Sequence, residues 1–238
     1  MQAATIRTKP IKVTNLGVGV GLLIMGLWTA LLAFNLTTPI SWASPLTWAL
    51  FLLQTHLYTG LFITSHDAMH GLVGPNRTIN RMVGTACSWL FAFNWFPRLL
   101  AAHKLHHRHA GTENDPDYHK GSFWPWYWSF LTQYLSLWQF LAMAITFNIA
   151  KLVIPAENLI LFWMAPAILS TFQLFYFGTY QPHKGKFEDE DPHKARSQAP
   201  NHLYAFITCY FFGYHHEHHA QPWQPWYKLP ATRTINEE

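Results

Sequence analysis

The stretch that decides the fold class is LGVGVGLLIMGLWTALLAFNL, residues 16–36 of a 238-residue chain. It contains no charged side chain, and a helix needs roughly 20 apolar residues to cross the hydrocarbon core of a bilayer. Its apolar run is too long for a cleavable signal peptide, and no clear cleavage site follows it. We therefore expect residues 16–36 to form a membrane-spanning helix.

Three later stretches have the same character, namely residues 45–65, 126–150 and 158–180. Each is long enough to cross a bilayer as a helix, and only residues 45–65 contain a histidine, His56, inside the apolar run. No internal repeat or linker separates a second domain, so residues 1–238 are expected to form one domain. These stretches predict an all-α integral membrane protein built as a bundle of four membrane-spanning helices.

Two shorter apolar stretches are ambiguous, residues 82–100 and 203–214. If residues 82–100 crossed the bilayer, the histidines before and after them would face opposite sides of the membrane. We therefore predict that both stretches are interfacial or re-entrant helices, which are possible where protein covers their backbone.

The basic residues indicate the orientation of the chain. With four spans, all of the 16 lysines and arginines except Lys151 lie on the face that carries both termini and residues 66–125. The positive-inside rule makes that face cytoplasmic. The basic residues are scattered rather than clustered, which argues against a nucleic-acid partner. The two cysteines, Cys87 and Cys209, form no CxxC motif and argue against a disulfide framework or a thiolate metal site.

Histidines gather in three boxes on the predicted cytoplasmic face: HDAMH, HKLHHRH and HHEHH. Residues three or four positions apart share one side of a helix, so each box can present several imidazoles together. His109 and His216 leave these helical faces and rank lower. The box histidines with the favourable spacing are His66, His70, His103, His106, His107, His215, His218 and His219. They exceed the four ligands of a structural zinc and suit two metal ions with open positions.

The strings around the boxes carry a closer resemblance. HDAMHG, NDPDYH, LFYFGTYQPH and FITCYFFGYHHEHH resemble the bacterial and cyanobacterial β-carotene ketolases of the membrane fatty acid desaturase and hydroxylase superfamily, from about residue 45 to 230. Gln181, before Pro182, departs from the apolar residue expected there. The resemblance implies a cytoplasmic, histidine-rich cap that holds two Fe²⁺ ions and activates O₂. It also implies that His183 joins the eight box histidines as a ligand.

The same resemblance implies the reaction and its partners. β-Carotene and other β-ring carotenoids would be converted to 4-keto carotenoids, echinenone and canthaxanthin, by two hydroxylations at C4 and loss of water. Membrane lipid would surround the protein, and electrons would come from an external donor of the ferredoxin type, because no flavin, haem or ferredoxin motif is present in the sequence.

Carboxylates near the boxes are the candidate catalytic residues, because outer carboxylates orient ligand imidazoles and raise their basicity. They are Asp67, Asp115, Asp117 and Glu217, with Glu113 and His119 as weaker candidates. Asp67 and Glu217 stand between ligands in the sequence, so we expect each to point at a neighbouring box. Three tryptophans, Trp124, Trp126 and Trp128, indicate an interfacial aromatic belt or the wall of a polyene site.

Other functions remain open at this point. A carotenoid hydroxylase or a fatty acyl desaturase of the same superfamily would use the same boxes. A zinc-dependent membrane hydrolase is an alternative from a different class, and metal content separates it from an iron oxygenase. A metal carrier is disfavoured, because its histidines would have to follow the spans rather than gather at one face.

Overall fold

A computed structural model describes residues 12–188 and 190–235. Within these residues it is helical and has no β-strand, so the predicted all-α class is confirmed. The helices are α1 (Leu16–Thr37), α2 (Pro45–Met69), α3 (Arg77–Leu90), α4 (Phe96–His109), α5 (Phe123–Tyr134), α6 (Leu137–Ala150), α7 (Ala156–His183), α8 (His202–Cys209), α9 (His215–Ala220) and α10 (Leu229–Ile235). Helix α7 contains two π-helical turns, Ile160–Met164 and Tyr176–Tyr180.

Three helices in the described part of the chain are long and apolar enough to cross a membrane. They are α1 with 22 residues, α2 with 25 and α7 with 28. Many of their large apolar side chains are exposed, among them Leu22, Leu23 and Leu27 of α1. An apolar surface of this extent is typical of contact with lipid. These helices correspond to the predicted spans at residues 16–36, 45–65 and 158–180.

The remaining predicted span, residues 126–150, is not one continuous helix. The chain instead forms α5 and α6, which meet at a bend of 81°. The backbone is extended at Leu135 and Ser136, and the Ser136 hydroxyl accepts a hydrogen bond from the backbone N–H of Gln139 at 3.3 Å. Ser136 thus caps a new helix where the apolar pattern alone indicates a continuous one.

Helices α2 and α7 run in the same direction, which fixes the path of the chain between them. His66 and His183 lie close to the C-terminal ends of these helices and meet at one end of the molecule, the histidine end. At the opposite end, the Asn158 side chain donates hydrogen bonds to the backbone oxygens of Asn35 and Thr38 at 2.7 and 2.8 Å. The chain therefore passes from the histidine end to the far end before α7 begins, and α5 and α6 together make this passage.

Residues 82–100 do not form a single helix that could cross a membrane. They are divided between α3 and α4, and left-handed backbone at Ala92 and Phe93, with φ of 62° and 56°, separates the two helices. Each of these helices has 14 residues, about 21 Å at 1.5 Å per residue. Residues 203–214 are likewise interrupted, because α8 ends at Cys209 and the residue after it, Tyr210, has a left-handed backbone with a φ of 50°. Their position relative to the bilayer stays a prediction.

Helix α2 lies at the centre of the fold and packs against α1, α3 and α7. Its Tyr58 hydroxyl donates to the backbone oxygen of Trp163 at 2.9 Å, which ties α2 to α7. At Gly60 a Cβ atom would lie 2.6 Å from the Tyr210 hydroxyl, so the close approach of the 210–214 turn requires a glycine here. This packing brings the C-terminal end of α2 against α4 and α9, where the histidines lie.

Candidate metal centre

The histidines predicted as ligands lie in two clusters at the histidine end. Cluster one comprises His66, His70, His103, His107 and His218. Cluster two comprises His106, His183, His215 and His219. Within each cluster, one ring nitrogen from every residue lies within 4.8 Å of the others. The structure therefore brings together all the histidines for which the sequence predicts a metal-binding role.

The two HxxHH boxes are each divided between the clusters. Helix α4 gives His103 and His107 to cluster one and His106 to cluster two. Helix α9 gives His215 and His219 to cluster two and His218 to cluster one. Residues four apart lie on one side of a helix, whereas adjacent residues point about 100° apart. An HxxHH box can therefore stand between two sites and serve both.

Cluster one contains close pairs of ring nitrogens. The Nε2 atoms of His70 and His103 lie 2.7 Å apart, and those of His107 and His218 lie 2.9 Å apart. Each such pair of neutral imidazoles can share one proton at most, and His66 lies outside both pairs. A cation between the rings would instead bind the Nε2 lone pairs of the paired rings together.

His66 is the least satisfied member of cluster one. Both of its ring nitrogens are buried and have no hydrogen-bond partner among the described residues. Its ring is instead held by packing, with centroid distances of 4.4 Å to His103 and 4.8 Å to Phe212. A buried polar group without a partner costs about 1–3 kcal/mol, a cost that a bound metal ion would remove.

Two of the four histidines of cluster two are held by hydrogen bonds to their outer ring nitrogens. His106 Nδ1 lies 2.9 Å from Asp115 Oδ1, and His183 Nδ1 lies 2.7 Å from the backbone oxygen of Lys194. Since each Nδ1–H donates outward, the Nε2 lone pair of each ring is free for the cluster. The Nε2 of His183 is buried without a partner among the described residues, as expected of a ligand atom.

Burial keeps most of these imidazoles neutral. It lowers the pKa of His103, His215, His218 and His219 well below the usual 6.5, and the neighbouring histidines lower it further. Burial also lowers the pKa of His106, but the hydrogen bond to Asp115 and the charges of Asp117 and Asp115 outweigh it and raise that pKa. Neutral imidazole is the form that binds a metal ion.

Asp115 and Asp117 lie beside cluster two. Asp115 is buried, orients His106, and accepts hydrogen bonds from the backbone N–H groups of Gly111 and Asp117, each at 2.9 Å. Asp117 accepts a hydrogen bond from the Tyr134 hydroxyl and has its Oδ2 atom 3.8 Å from His106 Nδ1. Burial raises the pKa of Asp117 to about 6. Asp115 therefore makes the contact expected of a carboxylate that orients a ligand.

Asp67 and Glu217 do not make the contacts predicted for them. Asp67 Oδ2 accepts a hydrogen bond from the backbone N–H of Trp226 at 3.1 Å. Glu217 bonds to the Ser197 hydroxyl and lies 3.4 Å from the Arg233 guanidinium. Asp67 Oδ1 also lies 3.8 Å from Nδ1 of the adjacent His66, but neither carboxylate contacts a histidine of a neighbouring box among the described residues.

The lower-ranked candidates lie outside both clusters. His109 and His216 are not among the clustered residues, and the backbone N–H of His216 donates to the Ser197 hydroxyl. Glu113 is exposed and paired with Lys120 on the surface. His119 accepts a hydrogen bond from the backbone of Gly121 at 2.8 Å within the same loop.

A largely apolar cavity of about 460 Å³ opens onto both clusters. It reaches His66 and His103 of cluster one and His106 and His215 of cluster two. From there it extends between α6 and α7 into the interior of the bundle. Its other lining side chains include Phe62, Met69, Phe91, Leu99, Met143, Met164, Ala167, Leu174 and Thr179.

Helix α5 supplies one wall of this cavity through residues that the sequence reasoning missed. The lining residues are Tyr127, Phe130, Leu131, Tyr134 and Leu135. Positions 127, 130, 131 and 134 have the spacing of one helical face, and this spacing could have identified them in the sequence. The neighbouring Trp124 and Trp128 are 67% and 68% exposed, as in an aromatic belt, and Trp126 is buried against Phe175.

Comparison with known proteins agrees with this geometry. The fatty acid desaturase family model matches residues 40–152 and 122–238. The chain belongs to the fatty acid desaturase family. Within it, the chain is 41% identical to the β-carotene ketolase of Paracoccus sp. (strain PC1) over 93% of both chains, which confirms the resemblance found in the sequence.

Other relatives extend the comparison. The β-carotene ketolase of Paracoccus sp. (strain N81106 / MBIC 01143) is 39% identical over 98% of both chains. The zeaxanthin 4-ketolase of Chlamydomonas reinhardtii is 39% identical over 94% of this chain, which spans 53% of that longer protein. No solved structure gives a significant match.

Proposed function

We propose that the protein is a di-iron, O₂-dependent oxidoreductase that converts β-ring carotenoids such as β-carotene to their 4-keto derivatives. The observation that supports this most strongly is the apolar cavity that opens onto both histidine clusters. Its size and apolar lining suit the ring and the first part of a polyene. The names of the relatives, β-carotene and zeaxanthin ketolases, favour a carotenoid over an acyl chain.

The donor atoms fit a metal ion in each cluster. Cluster one offers five imidazoles and cluster two offers four, which matches two ions that keep positions open for other ligands. Imidazole binds iron, zinc, copper and nickel, so the proposal of iron rests on the family and needs a direct measurement. When bound, the two ions would supply the oxidising power for two successive O₂-dependent hydroxylations at C4 of the ring.

The residues of the chain have three tasks in this reaction. The cavity holds the C4 methylene beside both clusters, and the aromatic face of α5 excludes water from it. Asp115 holds His106 in the orientation that directs its Nε2 atom into cluster two. Asp117, fixed by Tyr134 at the cavity wall, is placed to accept or release a proton as the C4 diol loses water.

We also propose how the protein sits in the membrane. Helices α1, α2 and α7 cross the bilayer, and the bent pair of α5 and α6 together makes the fourth crossing. Helices α3, α4, α8 and α9 would lie at the interface on that side. The distribution of lysine and arginine supports a cytoplasmic histidine end, with both termini there and residues 1–238 acting as one domain. An external ferredoxin-type protein would deliver electrons from this side.

Expression in cells that accumulate β-carotene tests the function. The mono-ketone should form first and the di-ketone later, with keto oxygen derived from O₂. The His106→Ala variant should leave the pigment unchanged, and His109→Ala, altered on the same helix but outside the clusters, should still form ketones. Cells that accumulate only hydroxylated carotenoids would identify a hydroxylase, and unsaturated acyl chains with unchanged pigment would identify a desaturase. Full activity with zinc alone would contradict an iron oxygenase.

A further inference from the structure

The cavity that meets the histidine clusters also reaches the outer surface of the helix bundle. Phe140 and Ala144 of α6 and Ile168 of α7 line it, yet all three are exposed, Phe140 at 73% and Ile168 at 65%. Side chains that line a cavity and are also exposed form the rim of an opening. The opening therefore lies between α6 and α7.

Measured along the axis of α7, the opening lies well inside the apolar part of the bundle. Ile168 lies about 22 Å from His183 along the axis of α7, and this helix is about 42 Å long, at about 1.5 Å per residue. The opening is thus close to mid-length of a helix that is long enough to cross the membrane. No charged residue occurs in α6, and exposed Leu141 and Ile145 flank the rim.

The polar groups along the cavity are already satisfied where the opening begins. The Gln139 side chain donates to Asn94 Oδ1 at 2.7 Å, and the Thr171 hydroxyl donates to the backbone oxygen of Ala167 at 2.9 Å. A hydrocarbon that crosses this region therefore deprives no buried polar group of its partner. Asp117 lies only at the other end, beside His106.

We infer that the carotenoid enters from the bilayer through the lateral opening between α6 and α7, and that its polyene lies in this opening while one ring reaches the histidine clusters. This inference rests on the proposed carotenoid substrate. The opening connects the lipid with the catalytic end through apolar side chains, so a carotenoid can enter without leaving the hydrocarbon phase. Because one ring reaches the clusters at a time, each ring is oxidised in a separate binding event.

Ala144 is the rim position at which a larger side chain would narrow the opening. It lies one helical turn from Phe140 on the same side of α6 and presents the smallest side chain on the rim. A large residue at position 144 would fill the space that the polyene occupies. The adjacent Ile145 is also exposed, at 58%, but does not line the cavity, so it is a matched control for a bulky substitution on the same helix.

The test compares Ala144→Trp with Ile145→Trp in cells that accumulate β-carotene. Ala144→Trp should lower ketone formation by at least about tenfold, because the indole fills space that the polyene must cross. Its iron content should equal that of the unaltered protein, which shows that the histidine end is intact. Ile145→Trp should change neither quantity. Ketone formation by Ala144→Trp at the unaltered rate would overturn the inference.

A second readout separates substrate access from the chemistry. The amount of β-carotene that remains bound to the iron-loaded protein is measured after purification without O₂, so that no turnover occurs. Ala144→Trp should retain much less pigment than Ile145→Trp. Equal retention by the two variants would show that the polyene does not lie in this opening. If the unaltered protein forms no ketone with O₂, the proposed function fails, but unequal retention would still identify the opening as a carotenoid site.

Discussion

Cluster one and cluster two are built from the same kind of residue but are held in different ways. In cluster two, His106 and His183 donate their outer ring protons to Asp115 and to the backbone of Lys194. In cluster one, His66 has no hydrogen-bond partner among the described residues and is held by packing against other rings.

This difference indicates that the two clusters keep their geometry through different interactions. Cluster two is ordered in advance by hydrogen bonds, which fix both the tautomer and the ring orientation of two of its members. Cluster one depends on tight packing and on the metal itself to satisfy its buried nitrogens. Changes that remove a hydrogen bond should therefore affect cluster two, and changes that disturb packing should affect cluster one first.

The largest effects are expected when either cluster loses a histidine. His218→Ala removes a member of cluster one, and His219→Ala removes its sequence neighbour from cluster two. Ketone formation should fall by more than about 100-fold in both, because loss of an outer partner alone costs roughly 10–100-fold. His216→Ala on the same helix should retain activity. If only one of the two variants lost activity, the clusters would not both be needed for catalysis.

Asp115→Asn should produce the next largest effect. The variant keeps the shape of the side chain but loses the carboxylate that orients His106, so the iron affinity of cluster two should fall by roughly 10–100-fold. Iron titration of His218→Ala protein, in which cluster two remains, measures this change with and without the second substitution. Glu113→Gln in the same loop is the control, because Glu113 is exposed and pairs only with Lys120. An unchanged affinity would contradict the role given to Asp115.

The stability of the metal-free protein should fall as the pH decreases below about 6.5. The pKa values of His103, His215, His218 and His219 are lowered in the folded state, so below 6.5 the unfolded chain takes up protons that the folded chain cannot. Above 6.5 these histidines are neutral in both states and contribute no pH dependence. The melting temperature, measured from pH 8 to pH 5, should therefore be constant at first and then decrease.

His106 differs from these four histidines because its pKa is raised in the folded state rather than lowered. Its pKa is raised in the folded state by Asp115, so its contribution to stability is complete below 6.5 and is lost as the pH rises through that raised pKa. Asp115→Asn removes this contribution and should make the decrease in melting temperature from pH 8 to pH 5 larger. A melting temperature that is independent of pH in both proteins would contradict the buried, neutral clusters.

Gly178→Ala should have the smallest effect. A Cβ atom at position 178 would overlap the ring of Phe212, which packs against His66 at 4.8 Å. Overpacking of this kind costs about 1–3 kcal/mol, and the displaced ring should loosen cluster one more than cluster two. The melting temperature and the iron content in His218→Ala and His219→Ala backgrounds measure both effects. Gly26→Ala in α1, where a Cβ atom meets nothing within 4 Å, is the control.

The sequence identifies the clustered histidines but not their arrangement. Helical spacing selects the box residues, and the family resemblance adds His183, which no box contains. Helical spacing accounts for the division within each HxxHH box, but which histidines of different boxes come together depends on how α2, α4, α7 and α9 pack. For the same reason, the sequence predicted that Asp67 points at a neighbouring histidine box, whereas the fold directs its Oδ2 atom to the backbone N–H of Trp226.

The bend at residues 135–136 shows where a hydropathy pattern fails. The length of an apolar stretch contains no information on the direction of the backbone. The hydropathy pattern therefore predicted one span where the chain forms α5 and α6. The local signal was present, because Ser136 and Gln139 form the S-x-x-Q pattern that starts a helix. The bend turns the aromatic face of α5 onto the cavity and leaves α6 to line the lateral opening.

The iron content of purified protein tests the central claim of two separate metal sites most directly. The unaltered protein should bind about 2 iron ions per chain, His218→Ala and His219→Ala about 1 each, and the double variant close to none, as the donor sets of the two clusters require. His216→Ala should bind as much iron as the unaltered protein. An unaltered protein that binds a single ion, or single variants that keep both, would contradict the account.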